Sequence, residues 1–286
     1  MSERIIGVIG GSGLYEMPGF KLAREVSINT PFGKPSDKIT LGELAGVKMA
    51  FLPRHGRGHF IIPSQINYRA NIYALKKLGC EFIIASAACG SLSNQIHPGD
   101  IVIVDQFIDR TKHRIDSFFG NGIVAHTLFS DPVCQSLAQI LYDTAFKLGL
   151  RVHRSGTYVC IEGPAFSTRA ESYLYRKWNA DVVGMTNLTE AKLAREAEIC
   201  YATIALCTDY DCWKETEAPF TIEQILAIMH QNTDNWKKII KSAVPHLPKT
   251  RTCACKDALK NAIITDPKKI PPKIKKDLKI IIGKYI

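Results

Sequence analysis

Residues 199–213 read ICYATIALCTDYDCW. The first nine carry one polar residue, Thr203, among apolar side chains. Such a run is short enough for a strand and apolar enough to be buried on both faces. It then breaks into Thr208, Asp209, Tyr210 and Asp211. One acid at a strand end is common, but two on alternate positions require a reason. Side chains two apart on an extended segment point to the same side, so Asp209 and Asp211 are the first candidates for catalysis. In open α/β sheets, ligands gather where strands end.

The flanking segments agree with such a sheet. LTEAKLARE (188–196) precedes the strand and TIEQILAIMHQNTDNWKKIIKSAV (221–244) follows it, both with helical spacing of apolar residues. Upstream, RIIGVIGG, VKMAFLPRHG, EFIIASAACG, DIVIVDQF, GTYVCIEGP and ADVVGM read as strands. QINYRANIYALKKLG, DPVCQSLAQILYDTAFKLGL and TRAESYLYRKW read as helices. In the second of these helices, Asp131 is the expected N-cap and Pro132 the first helical position. Strand–helix alternation predicts an α/β domain with helices on both faces. Internal repeats and long low-complexity segments are absent.

Length and composition narrow the class. The chain has 286 residues, 46% hydrophobic and 22% charged, as expected of a soluble globular protein. No apolar run approaches the ~18 residues of a membrane span. The N-terminal MSERIIGVIGG lacks the pattern of a secretory signal, so the cytoplasm is the expected compartment. The net charge of +10 is unevenly distributed: residues 249–286 hold 11 Lys or Arg and 3 Asp, leaving the other 248 residues close to neutral. The basicity thus belongs to a C-terminal extension (249–286) beyond the main domain (1–248). Its clustered lysines have no interleaved aromatic residue, which argues against nucleic-acid stacking, and it is expected to be a solvated or subunit-covering tail.

Nine cysteines are present. Cys80, Cys160, Cys200 and Cys207 sit in apolar runs and read as small buried hydrophobes. Cys253 and Cys255 form a C-x-C in a polar segment and are a candidate disulfide. No Cys/His spacing typical of zinc appears, so no metal is expected.

The remaining polar strand ends supply further candidates. GVIGGSG (7–13) is open to three readings: a plain tight turn, a phosphate loop with Ser12 adding a hydroxyl, or a dinucleotide turn with irregular spacing. RHGRGH brings Arg54, His55, Arg57 and His59 together, and a guanidinium beside an imidazole suits an anion. A site that is anionophilic at one end and acidic at the other would fit phosphate plus a purine nucleoside. One protonated Asp would donate to N7 and one ionised Asp would accept from an amino group.

IGGSGLY, TPFGKPS, RHGRGH, ACGSL, PGDIVIVDQFIDRT, EGPAFSTRAES, GMTNLTEA and TDYDCW occur in this order, and together they closely resemble the trimeric purine nucleoside phosphorylase superfamily, in its methylthioadenosine branch, over residues 5–247. The resemblance implies a single α/β domain with a mixed twisted central sheet. It also implies reversible phosphorolysis of S-methyl-5'-thioadenosine to adenine and 5-methylthioribose 1-phosphate, with no cofactor and phosphate as co-substrate. Residue by residue, it assigns Ser12, Arg54, His55, Ala88 and Thr186 to phosphate. At Ala87, where the family usually has a hydroxyl, a side-chain contact is missing. It assigns Phe166, Met185, Thr208, Asp209, Asp211, Ile222, Ile225 and Leu226 to the nucleoside, with His126 lent by a neighbouring subunit. Small-molecule substrates and a homotrimer or homohexamer are the implied partners, the C-x-C tail resembling hexameric archaeal members. Asp209 disfavours the alternative of a broader phosphorylase for adenosine, inosine or methylthioinosine. A dinucleotide-dependent dehydrogenase and a nucleic-acid-binding protein are the rivals from other classes.

Overall fold

The computed structural model describes residues 4–11, 17–214 and 222–286. Its centre is a mixed sheet of eleven strands flanked by helices on both faces. In chain order the elements are β1 (Ile5–Gly10), β2 (Lys21–Val26), β3 (Ile39–Leu44), β4 (Val47–Pro53), α1 (Tyr68–Lys77), β5 (Cys80–Ser91), β6 (Ile101–Ile103), β7 (Gln106–Arg110) and α2 (Gln135–Lys147). There follow β8 (Val152–His153), β9 (Thr157–Ile161), α3 (Arg169–Lys177), β10 (Val182–Gly184), α4 (Asn187–Glu196), β11 (Cys200–Tyr210), α5 (Ile222–Ala243), α6 (Pro272–Asp277) and α7 (Lys279–Ile282).

The long strand β5 organises the sheet. Along one edge it pairs in parallel with β11, from Phe82 opposite Cys200 to Ser91 opposite Tyr210. Its other edge is shared. The first part, Cys80–Ala85, pairs with β1, and only Gly90 and Ser91 pair with β10, which runs antiparallel. Between these partners lies a notch in which residues 86–89 have no strand neighbour on that edge. Side chains alternate between faces with period two. Phe82 and Ile84 face α2 and α5 in one apolar core, and Ile83 and Ala85 face α1 and α4 in the other.

Several expected elements take a different form. α2 starts at Gln135 with Cys134 as N-cap, not at Asp131. The Cys134 N–H donates to the Tyr201 carbonyl (2.8 Å), which ties the chain to β11 just before the helix begins. DIVIVDQF divides into β6, which pairs with β11 and β8, and β7, which pairs with β9. The C-terminal stretch is not a solvated tail. Leu259, Ile270, Leu278, Ile281 and Ile282 are buried in the same core as Ile72 and Tyr73 of α1, while its lysines face outward. Apolar residues interspersed among the lysines bring it back onto its own chain.

Candidate active site

The notch in β5 collects the ends of its neighbours. β1 and β4 are parallel with Gly10 opposite Pro53, so the ends of the two strands, and Arg54 after the second, lie side by side. The Arg54 N–H donates to the Gly10 carbonyl (3.0 Å). Because β10 runs antiparallel to β5, its continuation through Met185 and Thr186 runs back into the notch beside Ala88. Ala88 is exposed there and Ala87 half-buried, small residues that leave the strand backbone open to a ligand. Thr186 is buried at the N-cap of α4, and its side chain makes no capping bond. A helix N-terminus and a free strand edge both offer N–H groups to an anion. Ser12 lies outside the described residues.

Arg54 is 2% exposed. Its Nε and Nη2 donate to the two carboxylate oxygens of Glu190, the latter at 3.0 Å, and Nη1 donates to the Ser86 carbonyl (2.8 Å). Tyr201 also donates to Glu190 (2.8 Å), and its hydroxyl accepts from Asn187 and Thr203. Glu190 is thus the fixed counter-charge of Arg54, which keeps the buried guanidinium ionised and oriented. A guanidinium has five N–H donors; these contacts use three of them. Sequence reasoning missed Glu190, since an acid in the first turn of NLTEAKLARE reads as ordinary helix chemistry.

His55 stacks on His59 at 4.2 Å between ring centroids, and its Nδ1 lies 2.8 Å from the Ile61 carbonyl. Burial, with the Arg54 charge behind it, pushes the imidazole down to about 4. The ring is neutral at physiological pH, and with its Nδ1–H donating to Ile61, Nε2 is left as an acceptor. Arg57 turns away to Glu25 and Thr40 and belongs to the scaffold.

The acid pair stands on the opposite edge of β5. The register slips between Cys207 and Asp209, so Thr208 is the extra residue of a bulge that re-aims the strand end. Asp209 then faces Gly90, where a Cβ would lie 3.2 Å from both Asp209 Oδ1 and Asp211 Cβ. Thr208 donates to Asp209 Oδ2 at 2.6 Å. Burial raises the Asp209 carboxyl above its ordinary range; the Thr208 hydroxyl opposes this and the Asp211 charge adds to it. Burial raises Asp211 as well, opposed by the hydroxyls of Ser172 and Ser167. The next turn is fixed by Trp213, whose Nε1 donates to the Ser91 carbonyl (2.8 Å). A pair of acids with raised pKa, both adjacent to Gly90, can divide into a proton donor and an acceptor.

Met185 connects the two halves. Its Sδ would lie 2.6 Å from a Cβ on Gly163, a residue with φ of +69°. Arg114 donates to the carbonyls of Met185, Ile161 (3.2 Å) and Glu162 (2.7 Å) and so pins both loops. Its position inside a polar loop gave no sign of this.

Other expected site residues are not gathered in this chain. Phe166 is 84% exposed, His126 is exposed and Leu226 is half exposed on α5. The side chains of Ile222 and Ile225 lie outside the described residues. The C-x-C disulfide is corrected: all nine cysteines are free, and Cys253 turns its sulfur toward Cys200 and Cys134.

The profile of the phosphorylase superfamily matches residues 5–245. S-methyl-5'-thioadenosine phosphorylase of Geobacter sulfurreducens is 56% identical, covering 99% of this chain and 100% of its own. Among solved structures, a methylthioadenosine phosphorylase from an Antarctic soil metagenome superposes with a TM-score of 0.94 at 46% identity, over 98% of this chain and 99% of its own. Methylthioadenosine phosphorylase from Schistosoma mansoni, in complex with adenine, gives 0.83 at 38% identity, over 91% and 97%. The chain therefore belongs to the phosphorylase superfamily, and within it to the S-methyl-5'-thioadenosine phosphorylase family.

Proposed function

We propose that the chain catalyses reversible phosphorolysis of S-methyl-5'-thioadenosine to adenine and 5-methylthioribose 1-phosphate. The observation that carries this reading is the pair of raised, partly buried carboxyls, Asp209 and Asp211, across β5 from the Arg54–Thr186 notch. Phosphate is a co-substrate and the reaction uses no organic cofactor.

We assign phosphate to the notch: the two remaining N–H donors of Arg54, the Ala88 backbone beside Ala87, Thr186, Ser12 and His55. Neutral His55 accepts from a hydroxyl of hydrogen phosphate. Cleavage of the glycosidic bond places positive charge on the ribosyl carbon and negative charge on the purine. The bound phosphate dianion stabilises the first. Protonated Asp209 donates to N7 and relieves the second, a contribution of about 10²–10⁴-fold. Ionised Asp211 accepts from the 6-amino group, and Met185 packs on the ribose. Thr208 orients Asp209 through its hydroxyl. Phe166, Ile222, Ile225 and Leu226 are assigned to the base and the methylthio group. His126 is assigned to a neighbour's site in a homotrimer or a hexamer built from two; exposed Val124 and Leu128 on either side of it support a subunit contact there. The cytoplasm is the assigned compartment, and among the described residues no helix is long and apolar enough to cross a membrane.

The test is release of adenine from S-methyl-5'-thioadenosine with and without phosphate, followed by chromatography. Adenine with a sugar phosphate, only when phosphate is present, is expected. Release without phosphate would identify a hydrolase.

A further inference from the structure

At the other end of β11 from the acid pair, four cysteines distant in sequence converge. Cys134 is the N-cap of α2, Cys200 opens β11, and Cys253 and Cys255 lie in the C-terminal stretch, the latter in a short helical turn (Ala254–Asp257). All four sulfurs lie within 4.8 Å of one another. Cys253 Sγ is 3.2 Å from Cys200 Sγ and 3.8 Å from Cys134 Sγ. Cys134, Cys200 and Cys255 are buried and Cys253 is half-buried, which gives an entry path.

We infer that Cys134, Cys200, Cys253 and Cys255 form a structural site for a single zinc ion. Zinc–thiolate bonds of about 2.3 Å in a tetrahedron place sulfurs about 3.8 Å apart, close to the spacing found. Four thiolates leave no open position, the mark of a structural rather than a catalytic site. Zinc displaces four thiol protons to solvent without electron transfer. The resulting negative charge is met by the N-terminal end of α2 at Cys134 and by the Arg195 guanidinium, which acts on Cys255. Cys200 and Asp209 are nine steps apart along the strand, about 30 Å, so the ion takes no part in the chemistry. Its effect is to clamp the 249–286 stretch to the body. In the linear sequence the site has no zinc signature, because its ligands come from three distant segments.

The full chain, produced in zinc-supplemented medium and kept reduced, is analysed by elemental and native mass spectrometry. About one zinc per chain is expected, lost in Cys253→Ser and Cys255→Ser and retained in Cys80→Ser, a buried cysteine outside the cluster. Cobalt reconstitution of the wild type provides a readout that needs no variant: intense visible bands of a tetrahedral cobalt thiolate are expected. Removing the zinc should lower Tm and leave turnover at moderate temperature unchanged. A metal-free chain with the four thiols open to alkylation or oxidised to disulfides would overturn the proposal. So would iron in place of zinc, zinc retained in both serine variants, or cobalt bound without the tetrahedral spectrum.

Discussion

The two ends of β11 are made of the same strand and treated in opposite ways. At its start, Cys200 meets three other sulfurs, and the surrounding groups close on one another. At its end, a bulge at Thr208 breaks the ladder and leaves Asp209 and Asp211 beside a glycine, with carboxyls that burial makes reluctant to ionise. One end joins segments of the chain; the other keeps hydrogen-bonding capacity for something outside it. Stability should therefore follow changes at the first end, and activity changes at the second.

The largest effect is expected from Asp209→Asn. Losing the acid proton should lower kcat/KM for S-methyl-5'-thioadenosine by about 10²–10⁴-fold, with little change in Tm. An amide has permanent N–H donors for N7 and for a 6-oxo oxygen. The ratio of methylthioinosine to methylthioadenosine activity should therefore rise roughly ten- to a hundredfold. The raised carboxyl also fixes the sign of a pH effect. Activity that needs the acid form is lost as pH rises through the folded pKa of Asp209, so the wild type should show that alkaline limb and the variant should lack it. Steady-state kinetics on both substrates across pH decide the matter; equal losses on the two, with the limb retained, would remove Asp209 from base recognition.

Next is the Arg54–Glu190 pair, where both properties meet. Arg54→Ala leaves a buried carboxylate without its counter-charge, at a cost of about 3–5 kcal/mol, and should also raise the KM for phosphate. Adding Glu190→Gln should recover most of the stability and none of the phosphate affinity. Denaturant unfolding and phosphate titration separate the two. A double variant that regains phosphate affinity would mean that the guanidinium is scaffold alone.

How much of this could be read beforehand differs between the ends. TDYDCW and RHGRGH announced themselves because charged residues directly after apolar strands are few, and each such end is a candidate by topology alone. The bulge at Thr208 is not legible, since it depends on the register with β5. Glu190 was hidden in a good helix, and the cysteines in three ordinary contexts. Strands β2 and β3 went unread: β2 is an exposed edge, KLAREV, whose charges mask its alternation. Phe166 and His126 entered by resemblance to a family, and both are exposed in the single chain.

Glu196 tests the closed end by pH. It ends α4, four residues before Cys200, and accepts from the Phe118 N–H and the Ser117 hydroxyl, each at 2.7 Å. Burial, only partly offset by these donors, lifts its carboxyl from 4.5 to about 7. A raised folded pKa contributes stability that is present below 4.5 and lost as pH rises through about 7. Glu196→Gln should remove that slope and make the chain more stable above neutrality, by up to about 3 kcal/mol. Tm measured from pH 5 to 8 gives the answer, with kcat/KM expected to stay unchanged. A parallel slope in the variant would assign the pH dependence elsewhere.

The smallest change, Gly90→Ala, acts on the open end alone. Gly90 has an ordinary backbone conformation, so alanine brings no strain of φ. Its added methyl would lie 3.2 Å from Asp209 Oδ1 and Asp211 Cβ and 3.3 Å from Val183 Cγ1. Each neighbour must yield by a few tenths of an ångström. Val183 is held in the ladder with β9, whereas the acids lie beyond the bulge, so the acids should move. Displacing a hydrogen-bonding pair by that amount should cost about tenfold in kcat/KM, equivalent to about 1.4 kcal/mol, and fall mainly on the nucleoside. The KM for phosphate should hold, because the notch lies on the other edge of β5. Glycine to alanine within a strand carries a backbone gain of about 0.5–1 kcal/mol, which offsets the crowding, and Tm should change little. A loss confined to phosphate would place the acids and the anion on the same side of β5. A large fall in Tm with unaltered kinetics would mean that the bulge is as rigid as the cysteine end.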